Sequence, residues 1–600
     1  MADNRSIRSS QLLSPYGTGS IVDIGDESLL LTDLSGWPKR LEIVYLDRLA
    51  NELGVNTLRA PPKQPEFRQK GNHSVTAIRF PHWMFCPSCR KMEHWIDKTG
   101  QSEDNKPVCR SVKCKKRNLV PMRFVMACEN GHLEDVPWDY WAHSHGNEGG
   151  CRDDRNSLFF KSSPSKGSGL DALSVQCKAC GSERNLGRLP GPNSMPSLGV
   201  KCKGKQPWEP KNENGCESPL VVLQRGASNL YYPVVRSALD IPVGASLGEQ
   251  SDLLLAIEEH IYFAACRVLL VDEGNEKAAR TLASKIAEDV ECTVDEVIAC
   301  ISPKADAPKN NSKLPTAEEL QSAEWDVLVS SEVEAHTTSN FSVRVIHDLS
   351  TNDKWGFSSI IKRVVLLDKL REVRAFCGYQ RVKPGEILVS PAGRHEDIKW
   401  LPAIQVFGEG VFIQFSEDAL SEWENSSSDF INSRLNSMIR RYNEGNVSYL
   451  AVPTARLVAL HTLVHLLIRQ LSFESGYASG SIRERIYAEE GQAGILIYTA
   501  DSDSEGSLGG LVQQGESHRL LSTMAAALDT ASWCSNDPVC SEMETQGIMG
   551  LNKAACHSCT LISETSCTMN NLLLDRKLLL GENSCHGLMS APFEKIRSGI

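Results

Sequence analysis

Apolar and polar positions change their rhythm several times along this 600-residue chain, and each change predicts a different kind of element. The opening RSSQLLSPYGTGS is polar; the runs IVDI and LLLT that follow alternate with a period of two, which reads as β-strands with Gly17 and Gly19 in the turn between them. A proline-rich stretch, APPKQPEF from Ala60, closes this segment. From about Pro81 to Cys216 long apolar periods lapse, and Cys, Gly, Pro, Lys and Trp take over. That pattern predicts small lobes in which bound metal replaces a missing core. Between Leu247 and Cys300 the period lengthens to that of helices, as in SDLLLAIEEHIYFAACRVLL and EKAARTLASKIAEDV, and TVDEV has capping-box spacing from Thr293 to Glu296.

The polar run ISPKADAPKNNSKLPT from Ile301 reads as a linker. Beyond it, IKRVVLLD reads as a strand, and AIQVFGEGVFIQF is expected to fold back on itself as a hairpin at its pair of glycines. LVALHTLVHLLIRQL forms a helix after Val452, GILIYTA from Gly494 a buried strand, and LLSTMAAALDTASW a further helix before the last cysteines. No repeat of fixed period is present. The expectation is a mixed α+β multidomain protein with zinc-stabilised N-terminal lobes, a helical insert and a C-terminal α/β domain carrying a four-cysteine zinc site. Its segments are a β-rich 1–80, zinc-binding modules at 81–220, a helical 221–305, a mixed 306–450 and a C-terminal 451–600.

Composition narrows the class. A hydrophobic fraction of 41%, a charged fraction of 23% and a mean hydropathy of -0.27 suit a soluble globular chain. The most apolar stretch, Ala451 to Gln470, is interrupted by Arg456, His461, His465 and Arg469, and MADNRSIRSS lacks an apolar signal core, so a cytoplasmic protein is expected. Twenty cysteines in such a compartment point to metal rather than disulfides. The net charge of -11 confines any contact with a polyanion to a local patch.

Cysteine spacing then locates the candidate chemistry. Cys86-x2-Cys89, nineteen residues, and Cys109-x4-Cys114 form two bites on a tetrahedral zinc ion. Cys177-x2-Cys180 with Cys202 and Cys216 make a looser second set. CENGH pairs Cys128 with His132, and with His143, His145 and Cys151 downstream it offers a possible third site, or simply packing residues in an aromatic stretch. Near the C-terminus, Cys534-x5-Cys540, fifteen residues, and Cys556-x2-Cys559 fit a closed structural site, with Cys567 and Cys585 competing for places. Two to four structural zinc ions are expected. Cys266, Cys292, Cys300 and Cys377 read as buried small hydrophobes.

Other motifs are weaker. His461 and His465 lie one helical turn apart, but HTLVH lacks the glutamate of the HExxH protease motif, so a core or interface helix is favoured. Asp501, Asp503, Glu505 and Gly506 open like a calcium loop, yet its twelfth position is Val512. No GxxxxGK[ST] loop occurs, so no P-loop motor is expected, and no enzymatic activity is assigned. Residues 106–123 carry seven Lys or Arg and no Asp or Glu. Lys113, Lys115, Lys116 and Arg117 would form a compact knob suited to phosphates, or else a solvated loop or a patch for an acidic partner.

Together the blocks RSSQLLSPYGTGSIVDI, FPHWMFCPSC, ACENGHLEDVPWDYW, LREVRAFCGYQRV, WLPAIQVFGEGVFIQF, YTADSDSEGSLGGL, WCSNDPVC and AACHSC resemble the DrmB family, helicase-associated proteins of the DISARM anti-phage system. The closing part also resembles the terminal domain of MrfA-type helicases. The resemblance implies a non-motor subunit that partners a DrmA-like helicase on foreign DNA, in a system that includes a DNA methyltransferase. It also implies Cys534, Cys540, Cys556 and Cys559 as zinc ligands. Two other readings of the residues are a metal-dependent nuclease built on His461, His465 and Asp501, and a scaffold that touches only protein.

Overall fold

The computed structural model describes residues 7–599, except 64–73, 96–105, 145–150, 152–155, 164, 166–167, 211–214, 243–252, 254–255, 258–259, 273, 302–314, 316, 339, 386, 446, 448, 500–508 and 583. The linker expected after Ile301 and the acidic loop at Asp501 therefore fall outside the described residues, as does His145. The chain packs into two units: the first takes residues 1–44, 57–236 and 375–404, and the second takes 45–56, 237–374 and 405–600.

The first unit is built from small antiparallel sheets of three strands. IVDI and the run after it become the hairpin Ile21–Ile24 and Glu27–Leu31, with Ala77–Arg79 on its other edge. Its turn is Gly25 and Asp26, not Gly17 and Gly19. Those two glycines precede the hairpin and lie against aromatic rings: a Cβ at Gly17 would collide with Tyr231 and Phe376, and one at Gly19 with Tyr379. Three further sheets carry the cysteine-rich sequence, among them Trp83–Phe85 with Met92–His94 and Val120–Pro121, and Leu158–Ser162 with Leu173–Cys177 and Glu183–Asn185. Strands of two to five residues hide little apolar surface, and several of the buried residues between them are cysteines. Arg381 is wholly buried, and its guanidinium donates to the carbonyls of Gly131, Leu230 and Gly19 at 2.9, 2.9 and 2.6 Å. One side chain thus satisfies backbone acceptors from three distant stretches, as buried carbonyls require.

The second unit has a conventional core. Phe341–Ile346, the 361–374 part of the strand Ile361–Gln380, the 405–415 part of Trp400–Phe415, Gly494–Thr499 and Ile482–Tyr487 lie side by side in that order in one sheet. AIQVFGEGVFIQF does not turn at its glycines; it lies within the uninterrupted strand Trp400–Phe415. Gly408 and Gly410 serve close approach instead, because a Cβ at 408 would overlap the Thr499 carbonyl of the neighbouring strand. Ala455–Ser475 is a helix buried on nearly every face from Arg456 to Ile468, as expected when apolar residues surround the whole circumference. Thr454 caps its start, accepting from the Leu457 amide at 3.2 Å, and Gly476, with φ 75°, ends it in the left-handed conformation. The helices Ser517–Ala531, Arg576–Leu580 and Ser590–Ser598 complete this core. No described helix is long and apolar enough to cross a membrane.

A helical lobe lies in the same unit, with Glu276–Val290 and Val294–Ile301 around Ala279, Ala283, Ile286 and Val297. The capping box forms as read: Thr293 Oγ1 accepts from the Glu296 amide at 3.2 Å and Glu296 Oε2 from the Thr293 amide at 2.8 Å.

An ionic network is sealed into this unit. Arg485, 2% exposed, donates to both oxygens of Glu324 at 2.9 and 2.8 Å and to Glu372 at 3.3 Å. Tyr487 and Tyr498 add hydroxyl donors to the two carboxylates. Burial alone would raise the Glu372 carboxyl, but Arg374, Arg483 and Arg485 hold it well below the usual carboxylate range. Arg485→Met leaves Glu324 and Glu372 buried without their shared cation, so a loss of about 3–5 kcal/mol of stability is expected. A lowered urea midpoint checks it, and an unchanged midpoint contradicts it.

Candidate metal centres

Four clusters of Cys and His gather ligand atoms that all lie within 4.8 Å of one another. In the first, Trp83–Phe85 delivers Cys86, and a tight turn closed by the Arg90 amide on the Cys86 carbonyl at 2.9 Å brings back Cys89. Arg90 has a φ of 64°, the left-handed residue that such a turn needs. Cys109 and Cys114 close the set, with Cys86–Cys114 and Cys89–Cys109 sulfur separations of 3.7 and 3.8 Å. Burial raises the Cys86 thiol, but the amides of Cys89 and Ser88 outweigh it and bring it down to about 7.

The middle cysteines group differently from their order in sequence. Cys202 and Cys216 join Cys128 and His132, whereas Cys177 and Cys180 join Cys151 and His143. The looser set Cys177, Cys180, Cys202 and Cys216 is thus divided between two clusters. Cys202 Sγ lies 3.7 Å from Cys128 Sγ and 3.6 Å from His132 Nδ1. Cys202's hydrogen bond lowers the Cys128 thiol, burial opposes it, and His132 lowers it further, to about 4. Asn130 Nδ2 supports Cys216 Sγ at 3.2 Å. In the other cluster Cys151 and Cys177 sulfurs are 3.8 Å apart. His143 donates from Nδ1 to the Asp139 carbonyl at 2.6 Å, leaving its buried Nε2 without a hydrogen bond among the described residues. That is the tautomer of a metal-binding imidazole. His143 was legible only as one of two nearby histidines; it stands half-buried at the end of the helix Trp138–His143.

The C-terminal cluster brings together Cys534, Cys540, Cys556 and Cys559, with separations of 3.5 Å for 534–556 and 3.8 Å for 540–559. Cys567 and Cys585 take no part in it. The Asn536 amide donates to Cys534 at 3.4 Å and the Cys556 amide to Cys559 at 3.3 Å, the N–H···S support that thiolates require. Burial raises the Cys556 thiol, but Asn536 and the Ser558 amide outweigh it, to about 6. Arg576 ties the loop down from below, pairing with Asp537 at 2.7 Å and donating to the Ala554 and Ala531 carbonyls at 2.9 Å. Closed sets of four sulfur and nitrogen donors fit structural zinc, which they would hold with no position left for a reacting water.

Elsewhere, Lys113, Lys115, Lys116 and Arg117 are all exposed on the first cluster's lobe. Cys266 and Cys377 are buried, and Cys292 and Cys300 half-buried. His461 and His465 are wholly buried. The string Gly244-Ala-Ser246-Leu-Gly248 has the residue pattern of a hydrolase nucleophile elbow and lies outside the described residues.

Residues 463–560, which contain the C-terminal cluster, match the MrfA Zn-binding domain, and residues 8–232 match a domain of unknown function, DUF8724. The chain thus has a zinc-binding domain shared with MrfA behind a cysteine-rich N-terminal half. A DISARM protein DrmB of Bacillus paralicheniformis is 30% identical over 586 residues, covering 93% of this chain and 97% of that protein. The chain belongs to the DrmB family of DISARM proteins.

The regrouping of the middle cysteines has a measurable signature. Cys128→Ser and Cys202→Ser should lose the same zinc ion, so that the double variant loses no more than either alone. Cys177→Ser combined with Cys202→Ser should lose two. Zinc per chain by mass spectrometry reads the difference, and additive loss for Cys128 with Cys202 would contradict the grouping.

Proposed function

We propose that this chain is the non-motor accessory subunit of a bacterial anti-phage defence complex, working in the cytoplasm with a DrmA-like helicase to bind and restrict foreign DNA. The observation that carries the reading is likeness to a DISARM protein DrmB across 93% of the chain. The sequence adds that no P-loop is present to drive a motor. In this reading the four Cys-rich clusters hold structural zinc, and the lobes they stiffen present two kinds of surface.

One surface is basic. Lys113, Lys115, Lys116 and Arg117 stand exposed around a buried Cys114, and Lys115 and Lys116 adopt left-handed backbone, with φ of 49° and 55°, which spreads their side chains over a tight turn. In an acidic chain such a knob suits DNA phosphates. The other surface is apolar. On the C-terminal zinc lobe, Trp533, Val539 and Ile548 are 69%, 62% and 74% exposed, which suits docking to a protein partner. A nuclease built on His461 and His465 is disfavoured, since both imidazoles are sealed from solvent and a hydrolytic metal needs an open, hydrated position.

Two experiments test the reading. Charge reversal of the four basic residues to Glu in the complex with the helicase should weaken DNA binding and flatten its salt dependence by about 0.9 log units per lost phosphate contact. An unchanged slope removes the knob from the DNA path, and a complex without any DNA crosslink to this chain favours a protein-only scaffold. Trp533→Ala with Ile548→Asp should weaken helicase capture by at least tenfold while zinc content stays constant; undiminished capture places the docking surface elsewhere.

A further inference from the structure

A fifth group of metal-ligating side chains lies within the second unit, apart from the cysteine clusters. His461 and His465 project from one face of the helix Ala455–Ser475 with ring centroids 4.4 Å apart. Glu484 reaches them from the strand Ile482–Tyr487, and Cys567 from the loop beyond the last CxxC pair. One ligand atom from each lies within 4.8 Å of the others. The histidines are 0% exposed, Glu484 1% and Cys567 7%.

The hydrogen bonds around these residues aim their lone pairs inward. His461 Nδ1 lies 3.3 Å from the Leu573 carbonyl and His465 Nδ1 3.2 Å from the Thr560 carbonyl. A carbonyl only accepts, so each Nδ1 carries the proton and each Nε2 presents a lone pair when the ring is neutral. His461 Nε2 faces Glu484 Oε1 and Cys567 Sγ, each at 3.3 Å, and His465 Nε2 faces Glu484 Oε2 at 3.3 Å. Neither His465 Nε2 nor Glu484 Oε2 has a hydrogen bond among the described residues. Cys567 Sγ accepts from the amides of Met569 at 3.3 Å and Asn571 at 3.2 Å, the same support that Cys534 and Cys559 receive in the neighbouring zinc lobe.

Four electron-rich atoms converging where water does not reach repel one another unless something positive lies between them. Charging both imidazoles would place two cations in contact at zero exposure, whereas one divalent ion satisfies all four atoms. Zinc bonds of about 2.0–2.3 Å in a tetrahedron put ligands roughly 3.3–3.8 Å apart, which the 3.3 Å separations match.

We propose that His461, His465, Glu484 and Cys567 hold a structural zinc ion, separate from the four-cysteine site. All four places belong to protein, so the ion is a clamp and leaves no position for a reacting water. It ties the central helix to an edge strand and to the C-terminal loop. Thr560 relays between the two sites, since its carbonyl accepts from His465 while its hydroxyl donates to Cys559 Sγ at 3.3 Å.

The full-length protein tests this directly. An anomalous difference map from wild-type crystals, recorded at the zinc edge, should show a peak between His461 Nε2, His465 Nε2, the Glu484 carboxylate and Cys567 Sγ. A map with a peak at Cys534–Cys559 and none here overturns the proposal. In solution, folded His465→Ala with Cys567→Ser should contain about one zinc fewer per chain than wild type, and an unchanged count also overturns it. The wild-type map decides even where the variant does not fold.

Discussion

Convergence of soft donor atoms on a point too small for water is the constraint from which much of this structure follows. In the first unit, strands of two to five residues cannot hide enough apolar surface to offset the entropy of ordering them. Cys86, Cys109 and Cys114 are instead half of the hydrophobic interior of their lobe, beside Met84, Trp95 and Leu119. The glycines, left-handed residues and amide-to-sulfur bonds around the clusters are the backbone's accommodation to bringing four ligands together. Arg381, reaching three separate carbonyls, does for this unit's loops what the thiols do for its sheets.

The second unit solves the same problem by packing. A helix buried on all sides, flanked by a sheet with an all-buried strand at Gly494–Thr499, gives a continuous apolar core. Its polar cost is met inside: Arg485 serves two carboxylates, and Arg456 leaves the N-terminal turn of the helix to pair with Glu417 at 2.8 Å and Glu424 at 3.0 Å. Arg434 and Asp575 pair likewise at 2.7 Å, and Glu409 takes hydrogen bonds from the Tyr477 hydroxyl and the Leu511 amide, both at 2.8 Å. The His461, His465, Glu484 and Cys567 group is the exception, where lone pairs meet lone pairs, and that exception is what calls for an ion.

For function, the division of labour matters more than any single residue. Lobes organised by bound metal would hold side chains such as Lys115 or Trp533 in place, so that a partner meets them at little entropic cost. The proposed function would use such lobes to hold, align and present, with the motor on another chain.

Local patterns carried a good deal of this. The paired spacings Cys86-x2-Cys89 with Cys109-x4-Cys114, and Cys534-x5-Cys540 with Cys556-x2-Cys559, bring their own ligands together because nearby residues in one lobe can close on one ion. The capping box at Thr293, the helix through His461 and the strand GILIYTA were likewise legible, since hydrogen bonds three residues apart and hydrophobic periods are properties of a short window. What the chain could not show by itself was partnership across long loops. Cys202 joins Cys128 across 74 positions, Glu484 reaches His461 from a strand with no spacing rule, and Gly408 serves a neighbouring strand's carbonyl instead of a turn. Those choices depend on which strand lies beside which, and they are settled only when burial makes every unpaired donor or acceptor costly.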